Sequence, residues 1–462
     1  MRTIVWFRGK DLRLRDHGPL HDALAQGEVI PVFVLDPYFF APNRARELPH
    51  RMQFLLDSLR ALSAAISARG SRLVVVKGKS VEVVPRLARA WRADRVVAQR
   101  WVEPFARERD RRIAAAAPLQ LFEGETLMPP GSLRSGAGRP YAVFTAFARA
   151  FFRGANAGKP LPAPRRLPPL PRGLRFEIAP IPSCEELGIA RTDALLPGGE
   201  EPAQARLRRF VRHGLRTYAR ARDRMDLPGT SRLSADLHFG TLSVREAWSA
   251  AQRSPRFLTE LLWREFAHHA LWDRPQLLAH PFRPEFERFP WRDDARAWSA
   301  WAEGRTGYPV VDAAARQLLG EGFVHNRARM IAASFLARDL LIDFRRGEAH
   351  YLKWLTDGDQ ANNDLGWQWS AGCGCDAQPY FRVFNPVTQG EKFDPDGAYV
   401  RRWVPELARM PARYIHQPWT APAEVLRAAG VRPGETYPRP IVEHRFARER
   451  FLAMAGRHLK RR

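Results

Sequence analysis

The sequence predicts an α/β N-terminal domain built on a parallel sheet, followed by an all-α C-terminal domain. Short β-branched runs at residues 3–7, 29–35, 72–76 and 95–98 alternate with helical stretches, the pattern of a parallel sheet with crossover helices. Ten prolines crowd residues 160–202 without sustained periodicity, which reads as a connector lying extended over the surface. Beyond about residue 200 the apolar residues recur at helical spacing. The expected division is therefore 1–130, a connector at 131–202, and 203–462.

The strands are TIVWF (Thr3–Phe7), VIPVFVL (Val29–Leu35), RLVVV (Arg72–Val76) and RVVA (Arg95–Ala98), with a helix expected over Arg51–Ala68. Neither GxGxxG nor GxxxxGK[ST] follows the first strand, so both the dinucleotide fingerprint and the P-loop are excluded. Helical segments are expected at Ala203–Arg222, Val244–Gln252, Pro255–Leu271, Ala295–Glu303, Val311–Leu319, Ala328–Leu341 and Ala349–Leu355. No internal repeat at a solenoid period is present.

The chain of 462 residues carries a formal net charge of +25, which points to anionic partners, nucleic acid first. Only seven of the 74 basic residues are Lys, so the Arg bias of a GC-rich genome is the competing reading. Three cysteines build neither a disulfide framework nor a four-thiolate metal site; a reducing cytoplasm fits, and no metal is expected. Cys373 and Cys375 in GCGC read as small residues where backbone packs closely, with a redox pair as the alternative. The N-terminus lacks a signal-peptide layout, and no apolar run approaches the roughly 18 residues of a membrane span. The protein is expected to be soluble, cytoplasmic and monomeric.

The most informative stretch is Asp357–Trp369, DGDQANNDLGWQW, with three carboxylates, four amides and two indoles in thirteen residues. That mixture suits a buried polar cofactor, whose ring edges need partners because an unpaired buried polar group costs about 1–3 kcal/mol. A capped helix carrying two core tryptophans is the plain alternative. Two other segments point the same way. Tyr218–Ser234 contains a Gly-Thr-Ser turn ahead of a helix, suited to a cap or a phosphate. Glu260, Trp263 and Arg264 share one helical face.

VWFRGKDLRLRD (Val5–Asp16), Tyr218–Ser234, ELLWREF (Glu260–Phe266), GYPVVDA (Gly307–Ala313), HNRARM (His325–Met330), the Asp357–Trp369 stretch and PYFRVFNP (Pro379–Pro386) together resemble the photolyase and cryptochrome flavoproteins, in order and at compatible spacing. The resemblance runs from Thr3 to about Leu407. It implies a Rossmann-like N-terminal sheet, a helical FAD-binding domain, and light-driven repair of UV-damaged DNA. It assigns Tyr218, Arg222, Thr230, Ser231, Leu233, Ser234, Arg264, Arg329, Asp357, Asp359 and Asn363 to the flavin, with Arg329 paired to Asp357 and Asn363 near the flavin N5. The Asn-Arg-x-Arg-Met arrangement looks like the branch that repairs cyclobutane pyrimidine dimers. There Glu260, Trp263, Asn326, Met330 and Trp369 would form the catalytic lesion pocket, and Arg327 and Arg382 would meet DNA phosphates.

Two features depart from the family pattern. Trp367 and Trp291 match the proximal and distal members of its electron relay, but Phe344 occupies the middle, so the relay is expected to be interrupted or rerouted through Trp354, Tyr351 or Trp369. The segment around Phe105-Ala106 lacks the Asn-Glu pair of folate-binding members. A second chromophore would then be a deazaflavin or FMN rather than folate, with Arg51, Glu103 and Arg109 as its contacts; exposed ion pairing is the competing reading of those three. The alternative function is a cryptochrome-type blue-light sensor without repair.

Overall fold

The structure, a computed structural model, describes residues 1–154, 157–175 and 177–459. It divides into two compact units that do not follow a single cut in the sequence. The first comprises Met1–Arg216, Ser231–Pro275 and Thr356–Ala361; the second comprises Thr217–Thr230, Gln276–Leu355 and Asn362–Arg462.

The first unit holds a five-stranded parallel sheet of β1 (Arg2–Phe7), β2 (Glu28–Leu35), β3 (Val74–Lys77), β4 (Arg95–Gln99) and β5 (Leu119–Phe122), in the order β3-β2-β1-β4-β5. Thr3 of β1 lies beside Val29 of β2 on one side and Arg95 of β4 on the other. Side chains alternate as the pleat demands. Val5 and Phe7 join one core layer with Phe33, Leu56 and Val97, while Ile4 and Trp6 join another with Ile30, Val32 and Val96. Both faces are thus buried, which is why the strands read as continuous apolar runs. The third strand begins two residues later than expected, and β5 went unpredicted because LQLF is short and only half-buried.

Helix Pro49–Ser67 covers one face of the sheet with Phe54, Leu55, Leu56, Leu59, Leu62 and Ile66. The described residues of the proline-rich stretch have little regular structure, and its backbone stitches it to this unit. Leu161 N donates to Asp16 Oδ1 (3.1 Å), Leu167 N to the Arg69 carbonyl (2.8 Å) and Ala179 N to the Val75 carbonyl (2.9 Å).

The second unit is helical. Its helices include Ala295–Ala302, Pro309–Glu321, Asn326–Ser334, Phe344–Trp354, Pro386–Phe393 and His444–His458, and helix Gln360–Ala371 enters it at Asn362. The helix expected over Ala328–Leu341 ends at Ser334 and passes into a π-turn, Phe335–Asp339, before Leu341 turns left-handed at φ 57°. In the first unit the helix expected over Ala203–Arg222 runs only as Glu200–Arg209 and then widens to a π-turn at Phe210–Gly214. A Cβ on Gly214 would lie 2.7 Å from the Phe210 ring, so the wide turn closes only over glycine. No described helix is long and apolar enough to cross a membrane.

Candidate functional site

In the first unit, helix Pro255–Asp273 starts on a proline at its first position, where the missing N–H is harmless. Glu260, Trp263 and Arg264 share its face, as the i, i+3, i+4 spacing requires. The Trp263 indole stacks on Phe144, with centroids 3.8 Å apart and planes 7° from parallel, and meets the edge of Phe266 at 5.9 Å. Phe144, the first residue of helix Phe144–Gly154, was not singled out from sequence because nothing local links it to Trp263. Glu260 Oε1 lies 3.4 Å from Arg256 Nη2, a half-exposed pair of little energetic worth. Arg264 Nη1 donates to the Glu125 carbonyl (2.6 Å) and Nη2 to that of Leu237 (3.4 Å).

Of the turn residues in this unit, Leu233 is buried, Ser231 Oγ accepts from Leu233 N (3.4 Å), and Ser234 opens helix Ser234–Phe239 on the surface. Asp357 and Asp359 lie on the short segment Thr356–Ala361, where Asp359 N donates to the Asp357 carbonyl (2.6 Å). Asp359 itself is buried in an ionic knot. Lys10 Nζ contacts Glu103 Oε1, Glu125 Oε1 (2.5 Å) and Asp359 Oδ2 (3.3 Å). His268 Nε2 lies 3.5 Å from both Glu125 Oε1 and Asp359 Oδ2, and His238 Nδ1 is 3.5 Å from the same Asp359 oxygen. Ligand atoms of Glu125, His268 and Asp359 fall within 4.8 Å of one another, a spacing that would suit a metal ion, but here the Lys10 ammonium provides the positive charge.

Burial alone would lower the His268 pKa, but Asp359 and Glu125 overcome it and hold it at about 9. Burial likewise opposes ionisation of Glu125, yet Lys10 and His268 keep it at about 2. Because His268 binds its proton more tightly folded than unfolded, its contribution is complete below pH 6.5, the ordinary value, and fades as pH rises through about 9. Denaturant midpoints are expected to fall across that window by up to about 3 kcal/mol in stability. His268→Gln should flatten the decline, and an equally steep decline in that variant would contradict the assignment.

The three expected contacts of a second chromophore also fall in this unit and are engaged internally. Glu103 is tied to Lys10, and Arg51 Nη1 donates to the Gly358 carbonyl (2.9 Å). Arg109 Nε donates to Asp110 Oδ1 (3.0 Å), and its guanidinium lies over the rings of Trp101 (4.8 Å), Trp6 (5.0 Å) and Phe105 (6.0 Å). The reading of these residues as exposed ion pairs is corrected for Glu103, 3% exposed. Phe105 in turn stacks on Tyr38 at 5.0 Å.

The second unit contributes the other expected residues. Tyr218 and Arg222 are both buried, with the guanidinium 5.8 Å from the Tyr218 centroid, and Thr230 is half-buried. Asn326 is exposed at the start of helix Asn326–Ser334, capped by His325, and its Nδ2 points at Met330 Sδ (3.7 Å) one turn on. Arg327 Nη2 is paired with Asp223 Oδ1 (2.9 Å), and Arg329 Nε donates to the Val324 carbonyl (2.8 Å). Arg329 lies in the second unit and Asp357 in the first. Asn363 is buried and donates to the Glu348 carbonyl (3.1 Å). Burial and Asp364 push the Glu348 carboxyl up to about 9. Arg382 is exposed, its guanidinium 5.8 Å from the Phe384 ring, and Trp369 is half-buried.

The tryptophans of this unit make a chain that sequence reasoning missed. Phe344 is buried, with its ring 6.3 Å from that of Trp291. Trp367 is packed with Trp301 (6.0 Å) and Tyr351 (5.1 Å), and Trp301 stacks on half-buried Trp298 at 5.5 Å. Gly347 makes room for this arrangement, since a Cβ there would lie 2.2 Å from the Trp367 ring. The GCGC segment holds two buried free thiols, and a Cβ on Gly374 would come within 2.7 Å of Gln368 Cβ, the close backbone packing that was expected.

The family model described as the FAD binding domain of DNA photolyase matches residues 257–457, so the chain is a flavoprotein. The model described as DNA photolyase matches residues 3–165. Deoxyribodipyrimidine photo-lyases of Agrobacterium fabrum and Thermus thermophilus are 40% and 44% identical to it, over 98% and 87% of this chain and 97% and 92% of theirs. A bacterial class III photolyase from Agrobacterium tumefaciens superposes with TM-score 0.92 at 38% identity, covering 100% of this chain and 98% of that one. A Synechocystis cryptochrome (TM-score 0.89, 31% identity, 98% and 99% covered) and an archaeal photolyase from Sulfolobus tokodaii with two FAD molecules (0.85, 30%, 99% and 100%) are also similar. The chain belongs to the DNA photolyase family.

The residues present fit FAD by their chemistry. In the first unit the hydroxyls of Ser231 and Ser234 and the Arg264 guanidinium are groups of the kind that hold a diphosphate; in the second, taken by itself, the Thr230 hydroxyl and the Arg222 guanidinium are of the same kind, and Asn363 offers a buried amide. Gln360 Oε1, on the segment carrying Asp357 and Asp359, is buried without a protein hydrogen-bond partner, a position that a polar cofactor would satisfy.

Proposed function

We propose that this protein repairs UV-damaged DNA in light by splitting cyclobutane pyrimidine dimers, and that the helix face presenting Glu260, Trp263 and Arg264 carries the recognition of the lesion. The observation that supports this most directly is the Trp263–Phe144 stack beside Glu260. A dimer inside a duplex is out of reach and has to be extruded, and a damaged pair costs least to unstack. The Phe144 ring backs the Trp263 indole, so Trp263 can offer a fixed aromatic plate to the extruded pyrimidines. Trp369, Asn326 and Met330 are the further pocket residues that the resemblance assigns. FAD, when bound and reduced, supplies the light-driven electron.

Glu260 holds the pyrimidine edge through its carboxyl oxygens, which accept from ring N–H. Arg264 is kept in place by the Glu125 and Leu237 carbonyls. Arg222, Arg329, Asp357 and Asp359, with Tyr218, Leu233 and the turn hydroxyls, bind and orient the cofactor, and Asn363 holds its ring edge. Arg327 and Arg382 are assigned to the phosphates flanking the lesion; Arg327 would exchange its Asp223 partner for one. We assign a second light-harvesting group, a deazaflavin or FMN, to the α/β unit at the Tyr38–Phe105 rim, since Arg51, Glu103 and Arg109 are all engaged with internal partners.

Light-dependent loss of dimers from a thymine-dimer oligonucleotide, using anaerobically reduced protein with a dark control, tests the function. Repair in light that is weakened in Glu260→Ala supports it; no repair by reduced, FAD-loaded protein would favour the sensor reading. Binding should also be strongly salt-dependent, given the charge of +25. Raising salt from 50 to 200 mM is expected to weaken affinity for DNA by roughly a thousandfold or more if six or more phosphates are contacted. A flat response would count against a basic binding face.

A further inference from the structure

Open α/β sheets take their ligands beyond the carboxyl ends of the strands, at the point where the strand order reverses. In the order β3-β2-β1-β4-β5 that point lies between β1 and β4. Lys10 follows the end of β1, Glu103 follows the end of β4, and Glu125 follows β5. The Lys10 ammonium is buried there, 6% exposed, among the three carboxylates of Glu103, Glu125 and Asp359. Only Asp359 comes from far along the chain, on the segment Thr356–Ala361.

His268 completes the knot. Its Nδ1 lies 2.8 Å from the Arg264 carbonyl, which can only accept, while Nε2 faces two carboxylate oxygens at 3.5 Å. Nε2 makes no hydrogen bond, but two carboxylate oxygens at 3.5 Å favour the imidazolium form. Lys10 and His268 then set two positive charges against three carboxyls, of which burial, with Glu125 and Asp359 beside it, pushes that of Glu103 up. Arg51 adds a second grip, through the Gly358 carbonyl at 2.9 Å. A Cβ on Gly358 would lie 3.0 Å from Arg51 Nε, so glycine there lets the Arg51 side chain pack closely on the segment.

We propose that Lys10 is a positioning residue for the flavin site: at the switch-point crevice it holds the chain's own Asp359, 3.3 Å away, and thereby fixes the segment that presents Asp357. Removing the ammonium leaves Asp359 and Glu125 buried with one cation fewer, and breaking a buried pair in this way displaces the surviving charge. The displaced charge sits one peptide from Gly358 and two from Asp357. The inference rests on the assignment of Asp357 to FAD.

The test is the affinity and absorption fine structure of FAD added back to flavin-free protein, with thermal unfolding measured alongside. Lys10→Met is expected to raise the FAD Kd at least about tenfold and to blur the resolved bands of the bound flavin. Lys10→Arg, which keeps the charge, should recover most of both, and Glu103→Gln, which removes a carboxylate from outside the segment, should stay within about twofold of wild type. If Lys10→Met fails to fold, Lys10→Met/Glu125→Gln removes the cation together with one anion and should still bind FAD weakly. Wild-type affinity and band shape in either Lys10→Met protein would overturn the proposal, whatever its melting temperature. Wild-type protein that takes up no FAD would overturn the site assignment itself, and the inference with it.

Discussion

Trp301→Phe is expected to slow light-driven reduction of bound FAD at least about tenfold, a change of about 1.4 kcal/mol in the barrier. Phenylalanine is far harder to oxidise than tryptophan, and Phe344 stands at the middle of the relay that the family resemblance implies. The aromatic packing offers another course. Trp367 meets Trp301 at 6.0 Å, and Trp301 stacks on Trp298 at 5.5 Å. Trp298 is half-buried and lies under the Arg346 guanidinium at 4.7 Å, so the chain of rings reaches from the core toward solvent.

Tyr351 is nearer to Trp367 than Trp301 is, 5.1 against 6.0 Å, but a tyrosine gives up an electron readily only when its proton has somewhere to go. The Tyr351 hydroxyl is buried without a protein hydrogen-bond partner, and burial raises its pKa. Of the detours expected from sequence, the one through Tyr351 is therefore disfavoured. Photoreduction under steady illumination with an external reductant checks this. Trp298→Phe should also slow it, and Phe344→Trp should restore rate to Trp301→Phe. A Trp301→Phe protein that is reduced as fast as wild type would eliminate this course.

Trp263→Ala is expected to weaken binding of dimer-containing DNA by about 1–3 kcal/mol, the worth of one aromatic–base stack, which is roughly fivefold to over a hundredfold in Kd. Undamaged DNA, held through its backbone, should be affected little. Phe144→Ala should produce a smaller loss of the same kind, because the Trp263 plate loses its backing ring at 3.8 Å. Fluorescence anisotropy with paired damaged and undamaged oligonucleotides separates the two terms. Equal losses on both would mean that Trp263 acts on DNA in general and not on the lesion.

Four strands of the sheet were legible because each is buried on both faces and so reads as an uninterrupted β-branched run, and helix Pro255–Asp273 was legible, as Pro255–Leu271, from its periodicity. What escaped were features made by distant contacts or by local compromise. LQLF of β5 is too short and exposed to stand out. The π-turn at Phe335–Asp339 interrupts a pattern whose apolar spacing continues through it. Glu260, Trp263 and Arg264 could be placed on one face by arithmetic, whereas Phe144 could be joined to Trp263 only by tertiary packing. Trp298 and Trp301 were visible as an i, i+3 pair, but their link to Trp367 is set by how helices Ala295–Ala302 and Gln360–Ala371 meet. Lys10 looked like part of a basic turn, and its three carboxylate partners lie in three separate segments.

The discontinuous makeup of the first unit bears on how the protein is made. Its sheet is complete once β5 has left the ribosome, yet Lys10 gains Asp359 only after Thr356–Ala361 has been synthesised. At ordinary translation speeds that gap is on the order of tens of seconds. Through that interval Lys10 has only Glu103 and Glu125 as carboxylate partners, and the switch point lacks the segment that later packs there. Termination before residue 361 would release a chain with its sheet formed and its crevice exposed, a substrate for chaperones and proteases.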